Sequence, residues 1–295
     1  MSVASTGFSG PYSAPAKLNL MLRVVGRRSD GYHLLQTVFR LIDYGDDLHF
    51  RVRADGVITR VNDLPGVPQA DDLCVRAALC LQQATGTALG ADIRLDKRLP
   101  MGGGLGGGSS DAATTLLALN HLWKTGFSRA QLIDFAVKLG ADVPVFVFGE
   151  NALAEGIGEQ LQALELPSAW YVVLCPAVAV STAAVFGHPE LKRDSQKVTI
   201  QGFTGRGSLN DFGAVNDLQA LVVAQFPEVA RHLAWLARHA VPPNPALMTG
   251  SGACVFAAFG SEAEAQHVIA QLPTDMRGFV ARGLQRHPLH GLVGS

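Results

Sequence analysis

Cysteine is scarce in this chain and scattered. The four residues Cys74, Cys80, Cys175 and Cys254 form no CxxC pair and stand at no zinc-ligand spacing to a histidine. That excludes a disulfide scaffold and a zinc knuckle, and leaves buried free thiols of a reducing compartment as the expectation. Charge of one sign is missing too. With 24 Lys and Arg against 25 Asp and Glu the formal net charge is -1, so nothing biases the whole chain toward nucleic acid or an anionic membrane. Long hydrophobic runs are absent: Ala169 to Val180 is interrupted by Pro176 and falls well short of the ~20 residues a membrane span needs. Met1 to Ala14 has neither a basic start nor an apolar stretch, so no targeting segment and a cytoplasmic location are expected.

What is present is a globular composition, 48% hydrophobic over 295 residues, enough for one large or two medium domains. Ala16 to Val25 reads as a strand ending in a turn at Gly26 to Gly31. Val38 to Ile42 and Leu48 to Val52 read as two more strands around an Asp43, Tyr44, Gly45, Asp46 turn. Leu73 to Gln83 has the spacing of an amphipathic helix, and Ile93, Leu95 and Leu99 that of a half-exposed strand running into Pro100. A helix is expected from near Ser110 to Trp123. A second runs from Ser128, its N-cap, to Leu139, and Val143 to Phe148 has the β-branched and aromatic content of a buried strand. Beyond a first domain ending near Gly156 or Gly158, the pattern gives a strand at Trp170 to Cys175 and a loop from Arg193 to Asn210. Helices at Val215 to Ala224 and Pro227 to Arg238 follow, then a Thr249 to Gly252 loop between apolar flanks and a closing β-α-β unit from Glu262 to Leu284.

The most informative stretch follows Pro100, where six of the seven residues Gly102 to Gly108 are glycine and Ser109, Ser110 and Asp111 come next. A turn with almost no Cβ atoms lets backbone N–H groups converge on a ligand. Opening onto a helix, it adds the free amides and positive dipole end of the first turn, which together make an anion cradle. A flexible linker is the plain alternative, but a strand before and a helix directly after argue against it. Gly102, Gly104 and Gly107 also fit GxGxxG, but the acid expected ~20 residues downstream is lacking, and no Lys-Ser or Lys-Thr follows to complete a Walker motif.

Three segments together resemble the motifs of the GHMP kinase superfamily, which includes galactokinase, homoserine kinase, mevalonate kinase and phosphomevalonate kinase. They are Pro15, Ala16, Lys17, Leu18, Asn19, Leu20; Pro100 to Ser110; and Gly250 to Phe256. Gly31, Tyr32, His33 with Leu35, Gln36, Thr37, the Asp43 to Asp46 segment, and Leu139 to Phe146 are similar to the branch of that superfamily acting on a cytidine diphosphate-linked polyol. The resemblance spans nearly the whole chain. It implies an α+β GHMP kinase fold with a ribosomal-protein-S5-like ATP domain over residues 1–158 and a ferredoxin-like domain on the substrate side over 159–295. ATP and Mg²⁺ are the implied cofactors. The implied partner is a small molecule, with no nucleic acid or membrane, and the implied assembly is a monomer or homodimer.

By the same resemblance, Lys17 and Asp142 are the catalytic pair: a carboxylate to take the hydroxyl proton and an ammonium to keep it ionised and neutralise phosphoryl charge. Taken alone, Lys17 is better read as a surface lysine on an edge strand and Asp142 as a loop cap before a strand, since a lone Lys or Asp is usually solvated. Pro100, Met101, Gly102, Gly103, Gly104, Leu105, Gly106, Gly107, Gly108, Ser109 and Ser110 are expected to hold ATP. Ser110 is a candidate Mg²⁺ ligand, and Asp72, where relatives have asparagine, a candidate adenine contact. Asn19 and Thr182 are expected at the polyol, Tyr32 and Phe186 on the two faces of cytosine, and His33 at its edge. Three rivals stay open: another kinase of the superfamily, such as one acting on homoserine or mevalonate, against which the Gly31, Tyr32, His33 segment counts; a nucleotide-sensing module that has lost transfer, against which the presence of both Lys17 and Asp142 counts; and a dinucleotide oxidoreductase.

Overall fold

The computed structural model describes residues 7–199 and 213–294. Two long strands set the frame. β1 (Ser9–Arg27) and β2 (His33–Arg53) form an antiparallel hairpin whose turn closes through Gly31 N–H to Arg28 O at 3.1 Å. From Ala14 to Leu22 every residue of β1 is buried, because both of its faces are covered.

β2 is one strand, not two strands around a turn. The register slips from Pro15 opposite Gly45 to Ala16 opposite Ile42, so Asp43 and Tyr44 form a bulge in a continuous ladder. The polar residues that imitate a turn have other work. Asp43 accepts a hydrogen bond from Arg282 N–H at 2.6 Å, Tyr44 stacks on Phe279 with centroids 3.7 Å apart, and buried Asp46 accepts from the amides of Arg98 and Leu99.

The first sheet has the order β3 (Ile58–Arg60), β4 (Gly90–Asp96), β2, β5 (Ala152–Glu155), β6 (Gln160–Ala163), with β1 also paired to β2. β4 is more buried than its alternation suggests. Against the sheet pack α1 (Leu73–Thr85), α2 (Gly107–Leu122), α3 (Arg129–Leu139) and α4 (Val143–Phe148), which share one apolar core. α3 has the expected cap, with Ser128 and Gln131 forming a reciprocal capping box.

Val143 to Phe148 is a helix, which corrects the expectation of a strand. Pro144 lies in its first turn, where the missing N–H costs nothing, and Gly149 at φ +77° ends it. Its apolar character on all sides reflects enclosure, not a strand period. α2 likewise starts at Gly107, inside the glycine run and three residues before Ser110.

The second sheet has the order β10 (Gly278–Arg282), β7 (Trp170–Leu174), β9 (Val255–Phe259), β8 (Leu247–Met248), with every pairing antiparallel. Helices α5 (Thr182–Gly187), α6 (Gln219–Gln225) and α7 (Pro227–Ala237) precede β8, and α8 (Glu262–Ile269) lies between β9 and β10, giving the β-α-β-β-α-β ferredoxin-like topology. A core cluster including Leu18, Leu20, Val173 and Phe256 joins the two sheets beneath β1. β6 carries the first sheet past residue 158, and the C-terminal segment returns to it through Leu284 N–H to Leu41 O and His287 N–H to Gly149 O. Of the Arg193 to Asn210 loop, residues 200–210 lie outside the described residues; 193–199 carry no helix or strand. Among the described residues no helix is long and apolar enough to cross a membrane.

Candidate active site

A cavity of about 570 Å³, within the usual size range of small-molecule sites, opens where the hairpin, the glycine-rich loop, α4 and the second domain meet. The loop is bolted on two sides: Lys17 N–H donates to Leu105 O at 3.0 Å and Cys254 N–H to Gly103 O at 3.1 Å. Glycine is required at two of its positions. At Gly104 (φ +75°) a Cβ would lie 2.2 Å from Thr249 O. At Gly106 (φ +73°), the N-cap of α2, it would lie 2.9 Å from the Phe146 ring and 3.1 Å from Lys17 Cε. From Pro100 to Ser109 the whole segment lines the cavity, with the amide end of the 16-residue helix α2 turned toward it.

Lys17 and Asn19, two residues apart on β1, share one face. The Lys17 ammonium is buried, donates to Asn19 Oδ1 at 2.7 Å and lies 3.2 Å from Asp142 Oδ2. Asp142 stands at the N-cap position of α4 without a side-chain cap hydrogen bond, and its carboxylate, 37% exposed, is open to the cavity. Asn19 is fixed further by donating to Thr37 Oγ1 at 2.9 Å and by its backbone N–H donating to Thr249 Oγ1 at 3.0 Å. A lysine and an aspartate remote in sequence thus meet in the wall that also holds the glycine-rich loop.

The remaining expected residues divide. Thr182 lines the cavity, its hydroxyl 2.7 Å from Ser251 Oγ, and so does Phe186. His33 lies against Phe186 with ring centroids 5.1 Å apart. Tyr32 is 60% exposed at the end of the hairpin turn and is not part of the lining, so the structure does not bring it onto Phe186. Asp72 is in the wall, but its carboxylate accepts from Cys74 N–H as the N-cap of α1 and from Arg60 Nη1 at 2.7 Å, both buried, which makes it an anchor of the wall before anything else. Ser110 is turned away: fully buried, it donates to Pro15 O at 2.7 Å and takes no part in the lining, whereas Ser109 does.

Residue-type reasoning missed a second cation at the loop. Lys97 lines the cavity, where a Cβ on Gly107 would come within 2.9 Å of its Nζ, and it bridges the carboxylates of Asp46 and Asp111. Burial pushes the Asp111 carboxyl up to about 8, and neighbouring Asp46 pushes it the same way against the pull of Lys97. Burial would lower the Lys97 ammonium, but Asp111 and Asp46 reverse that and raise it. The available signal was position alone, a lysine three residues before Pro100. Asn216 was missed as well; its amide donates to Met248 O and Gly250 O and so holds the loop that contacts Gly104.

Comparison with known proteins agrees with this geometry. The family model for the GHMP kinases N terminal domain matches residues 72–150, and that for GHMP kinases C terminal matches 203–278. The chain is 61% identical over 278 residues to a 4-diphosphocytidyl-2-C-methyl-D-erythritol kinase of Nitrosospira multiformis, covering 94% of this chain and 92% of that one. It is 58% identical to the protein of the same name from Cupriavidus necator, covering 95% and 94%. A crystal structure of a 4-(cytidine 5'-diphospho)-2C-methyl-D-erythritol kinase superposes with a TM-score of 0.76 at 31% identity, covering 94% of this chain and 99% of that one. The L. major mevalonate kinase shares the fold at a TM-score of 0.64 and 14% identity, covering 97% of this chain and 99% of that one.

Proposed function

Given that this chain belongs to the GHMP kinases, and among them to the 4-diphosphocytidyl-2-C-methyl-D-erythritol kinase family, we propose that it transfers the γ-phosphoryl group of ATP to the 2-hydroxyl of 4-diphosphocytidyl-2-C-methyl-D-erythritol, a step of non-mevalonate isoprenoid precursor synthesis. The observation that carries the reading is the 3.2 Å approach of Lys17 Nζ to Asp142 Oδ2 in the wall of a cavity lined by the glycine-rich loop.

The roles follow from the surroundings of each group. The triphosphate lies over the amides between Pro100 and Ser109 at the start of α2, with Lys97 adding a positive charge. The adenine end points toward the apolar wall of Leu64, Val67 and Leu73 beside Asp72. Asp142 accepts the proton of the substrate hydroxyl as its oxygen bonds to the γ-phosphorus and the bond to the ADP oxygen breaks. Lys17, 3.2 Å from that carboxylate, offsets charge on the transferring group. Asn19 fixes the ammonium and, with Thr182, faces the polyol. Phe186 and His33 take the cytosine, with Tyr32 able to close over its other face from the hairpin turn.

Mg²⁺ supplies charge neutralisation on the phosphates. Among the described residues no three His, Cys, Asp or Glu side chains are grouped to hold a metal, and the Ser110 hydroxyl is already used by Pro15 O. That donor set fits an ion delivered on the phosphates with its waters. Of the oxygen-bearing side chains lining the cavity, Asp142 and Ser109 would be the ones to hold it alongside the phosphates.

Phosphorus NMR of products formed from ATP with the cytidine diphosphate-linked polyol, and separately with mevalonate, tests the proposal. ADP and one new phosphomonoester on the 2-hydroxyl are expected, with mevalonate untouched. Phosphorylation of mevalonate, or of a different hydroxyl, would overturn it.

A further inference from the structure

Arg193 uses all five of its N–H donors in one place. Nε donates to His33 Nε2 at 3.0 Å, Nη2 to Phe186 O at 3.1 Å and His188 O at 2.7 Å, and Nη1 to Leu191 O at 2.9 Å and Pro189 O at 3.5 Å. The guanidinium therefore ties the C-terminal carbonyls of α5, the helix carrying Phe186, to the imidazole that lies against the Phe186 ring. A guanidinium has no acceptor, so the His33 nitrogen facing it must be the unprotonated one. In the neutral imidazole the proton then sits on Nδ1, which has no hydrogen-bond partner among the described residues. Burial, with Arg193 and then Arg27, lowers the tendency of His33 to take a second proton.

Resting on the cytidine reading above, we propose that Arg193 is a positioning residue for base selection: it fixes His33 as the Nδ1–H tautomer, so that the imidazole presents a donor to N3 of cytosine. Cytosine N3 is a bare acceptor, whereas uracil carries a hydrogen there. A fixed donor meeting that N–H leaves two donors opposed and unpaired, which rejects uracil by about tenfold to a hundredfold. Without Arg193 the imidazole is free to carry its proton on Nε2 and offer Nδ1 as an acceptor, which tolerates either base. Arg193 also keeps Phe186 and His33 in register, so that stacking, which every base satisfies, and edge recognition, which only one does, occur together.

Nitrogen-15 NMR of the full chain labelled at histidine, without substrate, reads the tautomer directly and needs no variant: His33 should carry its proton on Nδ1. In Arg193→Met the proton should move to Nε2. That variant should lose about tenfold to a hundredfold of its preference for the CDP-linked over the UDP-linked polyol in kcat/KM, with KM for ATP unchanged. Arg193→Lys, which keeps a cationic donor with no acceptor, should restore much of both. Wild-type His33 protonated on Nε2 overturns the inference while leaving the cytidine pocket intact. So does a variant whose tautomer changes with no change in base preference. Failure of the wild-type protein to prefer the CDP-linked substrate at all defeats the underlying functional reading instead.

Discussion

Replacing Gly106 with alanine tests how tightly the glycine-rich loop is coupled to the proposed catalytic pair. Gly106 holds φ +73° and ψ 19°, the left-handed region, where a Cβ costs about 1–2 kcal/mol. The new methyl would stand 2.9 Å from Phe146 Cζ and 3.1 Å from Lys17 Cε. Phe146 is completely buried and belongs to α4, so it has little room to retreat, and overpacking adds about 1–3 kcal/mol. The sum, about 2–5 kcal/mol, corresponds to a fall in Tm of roughly 5–15 °C. Both atoms contacted lead to the chemistry, Phe146 through the helix whose N-cap position Asp142 holds and Cε directly to the ammonium 3.2 Å from that carboxylate. A displacement near 1 Å there should lower turnover about a hundredfold. Gly126→Ala is the control: Gly126 has φ +76° but nothing within 4 Å of the added Cβ, so it bears the backbone strain alone and should keep normal turnover. Calorimetric unfolding and coupled ADP release on the two variants give the comparison. Equal Tm losses, or Gly106→Ala turning over within a few fold of Gly126→Ala, refute the coupling.

Three other perturbations reach different parts of the molecule. Asp72→Ala removes the cap of α1 and leaves Arg60 buried without its carboxylate, so urea unfolding should register a loss of about 3–5 kcal/mol; less than 1 kcal/mol would contradict the anchoring role. Tyr32→Ala should raise KM for the cytidine substrate several-fold with KM for ATP and stability unchanged, because its side chain is exposed; equal effects on both substrates refute its place at the base. His287 is buried, its Nδ1 accepts from Leu289 N–H and its Nε2 has no partner, so burial, and then Arg129 and His290, hold it down to about 3. The folded chain therefore binds this proton more weakly than the unfolded one. Its contribution to stability is complete above pH ~6.5 and is lost, at up to ~1.4 kcal/mol per pH unit, as pH falls toward 3. Denaturant midpoints at pH 7 and pH 5 should differ less in His287→Gln than in the parent, and an unchanged difference would rule this out.

The glycine run, the Ser128 N-cap of α3, the β-α-β close of the chain and the three family motifs were legible because each is a local signal. Two errors have the same cause, tertiary structure overriding local pattern. Asp43 to Asp46 carries turn chemistry but serves as a bulge that reaches the second sheet through Arg282 and Phe279, contacts no local rule contains. Val143 to Phe148 looks like a strand because an enclosed six-residue helix shows no amphipathic period. In the site, the pairing of Lys17 with Asp142 came from family likeness, since no spacing rule joins a strand residue to a helix cap so far along the chain. Ser110 was misread because a one-residue step around α2 turns a hydroxyl from the cavity to Pro15 O, and the helix start had been placed three residues late. Asn216 and Arg193 left no sequence signal and Lys97 only its position before Pro100, as their importance lies in the carboxylates, carbonyls and imidazole that folding sets around them.

Single-turnover phosphoryl transfer by Asp142→Asn, measured by rapid quench with labelled ATP and saturating cytidine diphosphate-linked polyol, bears most directly on the proposed chemistry. The account predicts a transfer rate lower by about 10²–10⁴-fold, with calorimetric affinity for ATP unchanged, because the amide keeps the shape of the carboxylate but cannot take the proton. Transfer within tenfold of the parent rate would contradict it.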